Sequence, residues 1–368
     1  VQFFKQLEDQ CKEKNSLLCV GLDPRVDAQT PEEARALIIE KNRAIIEAVS
    51  DYTVCFKPNI AFYEAWGEQG IEALKDTLAL IPDEIPVLLD AKRGDIGATV
   101  DAYAAAAFDD LGVDAITAAP YMGEDSIRPF LGYEGKAVFV LGRTTNPSAK
   151  DFQDLIVDGE YLYEKTAVTA ANWSENVGLV VAGNDVIALR RLRAALPQTW
   201  FLSPGIGAQG GTMEEAIAAG MREDGLGILP NASRAIANAE NPAQAAKDYV
   251  HAINEARQKA TVLPQTAPSL KSRFLQGLIE SECFRLGEFT LKSGAKSPFY
   301  VDLRRVPSNP AVLKLAAKAY ASLVQGSGVR LHRRYPLGGS APGHGPEPGN
   351  RCSSDLPSNP SQAPWSRQ

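Results

Sequence analysis

The sequence predicts an α/β fold of the (β/α)8, or TIM, barrel class, and two features carry that expectation. Short apolar runs of strand character recur at a steady interval along the first two thirds of the chain. Each is followed by a polar or glycine-bearing turn, and then by a stretch whose apolar residues return with helical spacing. Strands are expected at 17–22, 53–57, 85–89, 114–118, 137–141, 177–182, 199–203 and 225–229. Between the first two, residues 31–51 place Leu37, Ile38, Ile45 and Val49 on one helical face. The last helix of the repeat is expected from Pro242 to Lys259, with Asn241 as its cap. A doubly wound open sheet is the alternative, because periodicity does not reveal whether a sheet closes.

A chain of 368 residues suggests two domains, or one large domain with an attachment. Hydrophobic and charged shares of 45% and 23% are ordinary for a globular chain. A net charge of -7 argues against a nucleic-acid or anionic-membrane partner, while leaving room for one local basic pocket. No apolar run approaches the ~20 residues that span a bilayer. The opening Val1-Gln-Phe-Phe-Lys-Gln-Leu-Glu8 lacks the apolar core of a signal peptide. Cys11, Cys19, Cys55, Cys283 and Cys352 form no CxxC pair and no ligand-spaced cluster, so a reduced, cytoplasmic setting is expected. Histidine appears only at 251, 332 and 344, which leaves the barrel region without histidine-rich metal sites.

In a barrel of this class, chemistry gathers where strands end and the following loops begin. The third strand delivers Asp90, Lys92 and Asp95 in Leu89-Asp-Ala-Lys-Arg-Gly-Asp-Ile-Gly-Ala-Thr99. Asp90 and Lys92 are two apart and share one strand face, and Thr99 lies one helical turn beyond Asp95. Placing charge at the end of a buried strand is costly unless it is paired, so this trio implies a use. The competing interpretation is a structural ion pair with Asp95 as a helix N-cap. Other strand ends carry Asp23, Lys57 with Asn59, and Arg143-Thr-Thr145-Asn-Pro147. The seventh opens into Pro204-Gly-Ile-Gly-Ala-Gln-Gly-Gly211, and the eighth into Pro230-Asn-Ala-Ser-Arg234. Glycines there let the backbone approach a ligand closely and expose N–H donors, and barrels commonly bind phosphate at this position. Arg234 would add a bidentate cation.

Asp90-x-Lys92-x-x-Asp95-Ile-Gly-x-Thr99 resembles the signature of orotidine 5'-phosphate decarboxylase. Phe56-Lys-Pro-Asn-Ile-Ala-Phe-Tyr63, Thr144-Thr-Asn-Pro147, the 204–211 loop and Ser233-Arg234 resemble the longer, second branch of that family. The resemblance spans residues 1–260. It implies a cofactor-independent, metal-free conversion of orotidine 5'-phosphate to UMP in pyrimidine synthesis. Lys57, Asp90, Lys92 and Asp95 would form an alternating charge network, with Lys92 protonating C6 as carbon dioxide leaves. Asp95 and Thr99 would reach into a neighbouring subunit's site, so a homodimer with shared sites is implied. Asp23 and Asn59 would contact the ribose or base, and Thr145 the pyrimidine edge. Gln209, Gly210, Gly211 and Arg234 would hold the 5'-phosphate.

Physical chemistry supports such a role. Loss of carbon dioxide from C6 leaves an anion with no adjacent π-system, and a fixed ammonium beside that carbon stabilises the charge as it develops. Two rivals stand beside this expectation: a metal-dependent phosphosugar aldolase or synthase on the same barrel, and a non-catalytic phosphate-ligand scaffold.

After the barrel, residues 261–272 read as a proline-bearing linker. Residues 273–330 regain globular character, and Leu291-Lys-Ser-Gly-Ala-Lys-Ser-Pro-Phe-Tyr-Val-Asp-Leu-Arg304 resembles the start of orotate phosphoribosyltransferase. In that family Lys292 would meet phosphate, and Phe299-Tyr300 would lie against the orotate ring. From 270 onward no two acidic residues are adjacent, so the paired acids of that family's donor site are missing and an inactive segment is expected. The final 38 residues, 331–368, hold seven prolines, five glycines and six serines, a composition expected to be disordered. A frame slip near Arg330 would explain so abrupt a change.

Overall fold

The computed structural model describes residues 2–206, 212–260, 270–290, 296–310 and 312–317. Eight parallel strands are present: β1 (Cys19–Leu22), β2 (Cys55–Pro58), β3 (Leu88–Arg93), β4 (Ala115–Ala118), β5 (Ala137–Arg143), β6 (Val177–Val181), β7 (Phe201–Pro204) and β8 (Ile228–Ala232). Their order is β2-β1-β8-β7-β6-β5-β4-β3, every neighbouring pair parallel. The two outer strands meet through parallel bridges Phe56–Val87 and Asn59–Asp90, which close the sheet into a barrel. The open-sheet alternative is therefore set aside. Strands covered on both faces read as unbroken apolar runs, and β1, β2, β4 and β6 are buried along their whole lengths.

Helix Pro31–Val49 starts where Thr30 accepts a hydrogen bond from the Glu33 N–H and Pro31 opens the first turn. It buries Ile38, Ile45 and Val49, while Leu37 is only half-buried; Asn42 takes a buried place and donates to Tyr63 and Thr77. The helix ends two residues earlier than expected, passing into a tight turn at Ser50–Tyr52. The final barrel helix, Pro242–Lys259, has the expected bounds, and Asn241 caps it by accepting from the Gln244 N–H.

Two strands depart from expectation by three residues or more. β8 begins at Ile228, three residues late, because Gly225 and Gly227 adopt φ of +78° and +82°. β3 begins later and runs on to Arg93, so Asp90 and Lys92 lie within the strand and Asp95 just beyond it. One helix was not anticipated: Gln2–Glu13, which sets Phe3 and Phe4 edge-on to Phe139.

Beyond the barrel, helix Leu270–Glu280 precedes an antiparallel pair, Phe284–Thr290 with Lys296–Val301. This segment has a small core of its own, made by Leu278, Cys283, Val306 and Val312. The 261–269 part of the expected linker, Lys292 and the 331–368 tail lie outside the described residues.

Candidate active site

The site is built on an irregularity in β3. Leu88 and Leu89 pair with Ala115 and Ile116, and the next pairing is Arg93 with Ala118. Asp90, Ala91 and Lys92 thus face Thr117 alone, a bulge that lets side chains two apart converge. Lys92 sits at φ +50°, a left-handed conformation costing about 1–2 kcal/mol for a residue with a Cβ. Such strain persists where surrounding contacts fix it, which marks the bulge as built for a purpose.

Three groups converge on the Asp90 carboxylate from within the barrel. Lys57 Nζ approaches Oδ2 at 3.2 Å, Lys92 Nζ approaches Oδ1 at 2.5 Å, and the Thr117 hydroxyl donates to Oδ1 at 2.9 Å. Asn59 Nδ2 reaches Oδ2 at a longer 3.4 Å. Exposure grades along the row: the Lys57 side chain is 5% exposed, Asp90 13% and Lys92 51%. Burial pushes the Asp90 carboxyl up, but Lys57 and Lys92 beside it, with hydrogen bonds from Lys92 and Thr117, outweigh burial and bring it down to about 2. Burial likewise pushes the Lys57 ammonium down, and the Asp90 and Asp23 charges outweigh it and leave it raised. Both partners are held ionised. Lys92 is the exposed end of a row of paired charges whose other members are rooted in the barrel.

Asp23 follows β1 and has one oxygen, Oδ1, that is buried with no hydrogen-bond partner among the described residues. A buried acceptor left open at a barrel mouth suits a ligand hydroxyl or amide. Asp95 does not cap the following helix. That helix, Ala98–Ala105, is entered through Gly97 at φ +56°, and the Asp95 carboxylate accepts from the neighbouring Ile96 N–H instead. The capping interpretation is corrected accordingly. Asp95 also makes no ion pair among the described residues, so the network found within this chain is Lys57–Asp90–Lys92, without its expected fourth member. Thr99 is exposed in the first turn of the same helix.

The loop after β5 is held rigidly. Arg143 bonds Asp185 at 2.9 Å and Asp154 at 2.5 Å, and Gln153 bonds both the N–H and the hydroxyl of Thr144. Thr145 lines a cleft there together with Thr144 and Asn184. Arg234 begins the turn after β8, exposed and without a carboxylate partner among the described residues. Gln209, Gly210 and Gly211 lie outside the described residues.

Sequence reasoning overlooked Thr117 and Asn184. A threonine in a strand such as Ala115-Ile-Thr-Ala118 is ordinary β composition and gives no signal of its own. Asn184 stands just after β6, where Ala182-Gly-Asn184 reads as an ordinary turn. Among the described residues, no three His, Cys, Asp or Glu side chains are placed to hold a metal ion. None of the described helices is long and apolar enough to cross a membrane.

Residues 16–249 match the family described as "Orotidine 5'-phosphate decarboxylase / HUMPS family". An orotidine 5'-phosphate decarboxylase of Herpetosiphon aurantiacus is 47% identical over 241 residues, covering 64% of this chain and 88% of the relative. One from Thermomicrobium roseum is 43% identical over 265 residues, covering 70% and 94%. Among solved structures, Leishmania donovani OMP decarboxylase has a TM-score of 0.65 and 46% identity, covering 71% of this chain and all of that one. Leishmania donovani UMP synthase has a TM-score of 0.67 and 46% identity, covering 88% of this chain and 70% of that one. With more than half its length matched, and with the decarboxylase relatives covered to 88% or more of their own length, the chain belongs to the orotidine 5'-phosphate decarboxylase / HUMPS family.

Proposed function

We propose that this chain converts orotidine 5'-phosphate to UMP and carbon dioxide, a step of pyrimidine biosynthesis, and that Lys92 supplies the proton. The observation that carries the proposal is the Lys92 ammonium, strained into place at the barrel mouth and tethered 2.5 Å from a carboxylate that Lys57 anchors from below. The C6–carboxylate bond breaks, carbon dioxide departs and the electron pair stays on C6. The Lys92 ammonium meets that charge as it grows and transfers its proton there, and solvent reprotonates the amine. Its environment is fixed before the reaction begins, so little reorganisation is needed in the transition state.

Binding is assigned to the remaining mouth residues. Arg234, with Gln209, Gly210 and Gly211, takes the 5'-phosphate; Asp23 and Asn59 take the ribose or base; Thr145 takes the pyrimidine edge. Phosphate binding remote from C6 contributes to the chemical step by fixing the base against Lys92. Asp95 and Thr99 act across a homodimer interface in this assignment. Support comes from the exposed Ile96, 55% accessible and next to Asp95, and from Tyr121 at 97% and Met122 at 45% just after β4, apolar groups of the kind a second copy would cover. A cytoplasmic setting rests on the unclustered cysteines.

The domain assignment is a decarboxylase barrel over 1–260, a linker over 261–272, an inactive transferase-like segment over 273–330 and a tail over 331–368. The third part rests on the Leu291–Arg304 sequence, and the UMP synthase match covers 88% of this chain against 71% for the decarboxylase alone. The family description also names HUMPS, which keeps a metal-dependent phosphosugar aldolase or synthase as the second reading. Loss of absorbance on adding orotidine 5'-phosphate, undiminished by chelator, is the expected result. Lys92→Ala should abolish turnover while UMP binding stays measurable; near-normal turnover in that variant would overturn the assignment.

A further inference from the structure

The bulge that presents Lys92 needs something to hold it. Three residues of β3 oppose one residue of β4, so two backbone N–H groups lose the ladder carbonyl that a regular parallel pair would offer. Both are satisfied by one side-chain atom: Thr117 Oγ1 accepts from the Ala91 N–H at 3.0 Å and from the Lys92 N–H at 2.9 Å. With its acceptor capacity used, the hydroxyl directs its own hydrogen to Asp90 Oδ1 at 2.9 Å, the same oxygen that holds Lys92 Nζ. Thr117 is 1% exposed, so water does not readily stand in for it.

We infer that Thr117 is a positioning residue for the decarboxylation: its one hydroxyl fixes the backbone of Lys92 and the carboxylate that aims the Lys92 ammonium. It acts through Lys92 and Asp90 and touches no reacting atom. The inference rests on the assignment of Lys92 as proton donor. A hydroxyl with three fixed partners sets a left-handed φ and an ion-pair geometry together. A side chain without it releases both.

The test is steady-state kinetics on the full chain with Thr117→Val, Thr117→Ser and Lys92→Ala side by side. Thr117→Val keeps the volume and removes the hydroxyl. Its kcat should fall about 100-fold, the scale expected when a reacting group is misplaced by about 1 Å, with KM changed less than about threefold. Thr117→Ser restores the hydroxyl and should recover most of kcat. A core variant remote from the carboxylate, Val138→Ala on β5, serves as the stability control: at an equal loss of thermal midpoint it should keep kcat. If Thr117→Val does not fold, Thr117→Cys, similar in size and a poor hydrogen-bonding group, takes its place. Wild-type kcat in Thr117→Val, or a Ser variant as impaired as the Val variant, overturns the inference. Should Lys92→Ala itself turn over, the assignment of Lys92 falls, a result distinct from a silent Lys92→Ala beside an active Thr117→Val.

Discussion

Asp90, proposed above to aim the Lys92 ammonium, also contributes to stability, and that contribution depends on pH. Its folded value of about 2 lies below the ordinary carboxylate value of 3.8, so its ionised form stabilises the fold in full above about 3.8. That contribution fades as pH falls through 3.8 toward 2. Asp90→Asn leaves the Lys57 ammonium almost wholly buried beside a neutral amide, a loss of about 3 kcal/mol expected for breaking a buried pair from one side. Urea unfolding of wild type and variant at neutral pH should show that gap. Repeating it in steps from pH 5 to pH 2 should show the gap closing, because wild type alone loses the contribution. A gap that stays constant over this range would mean the carboxylate is not held down by its ammonium neighbours. At this scale the sequence was informative about which residues carry charge, since Asp90, Lys92 and Lys57 stand at strand ends where charge is out of place. It was silent on Thr117, whose three hydrogen bonds exist only once β3 and β4 lie side by side.

Strands were legible because a parallel barrel buries them on both faces and leaves only an apolar run to read. Their ends were less so. β3 runs through Asp90 and Lys92 because a neighbouring hydroxyl satisfies its bulge, and no local propensity announces that. β8 starts late because two glycines with positive φ turn the chain before it can extend. The β1–β8 seam offers a test at this scale. Gly21 in β1 faces Ser233, and a Cβ added at Gly21 would lie 1.8 Å from the Ser233 hydroxyl oxygen. Ser233 must move, and it immediately precedes Arg234, the residue assigned to phosphate. Gly21→Ala should therefore raise KM about tenfold with kcat within about twofold, the pattern of lost uniform binding. A fall in kcat at constant KM would instead tie this seam to the chemical step.

Across the whole molecule, burial is divided unequally. The large core draws on residues between Phe3 and Ala256, every one of them in the barrel or in the helix that precedes it. The carboxyl-terminal segment contributes none of these and keeps a four-residue core of its own. Among the described residues the links between the two include polar ones: Tyr161 donates to Glu280 at 2.6 Å, and Arg191 stands 3.9 Å from the same carboxylate. Partly exposed contacts of this kind are worth about 1 kcal/mol or less each. The groups proposed as catalytic, Lys57, Asp90 and Lys92, lie on β2 and β3, among strands that take no pairing from the later segment. A chain ending at Ala260 should therefore keep kcat/KM for orotidine 5'-phosphate within about threefold, with a thermal midpoint lower by only a few degrees. Assay and melting of the full and shortened chains, purified in parallel, check this. Loss of turnover with an unchanged midpoint would show that residues beyond the barrel reach the active site, and that the two parts act as one catalytic unit.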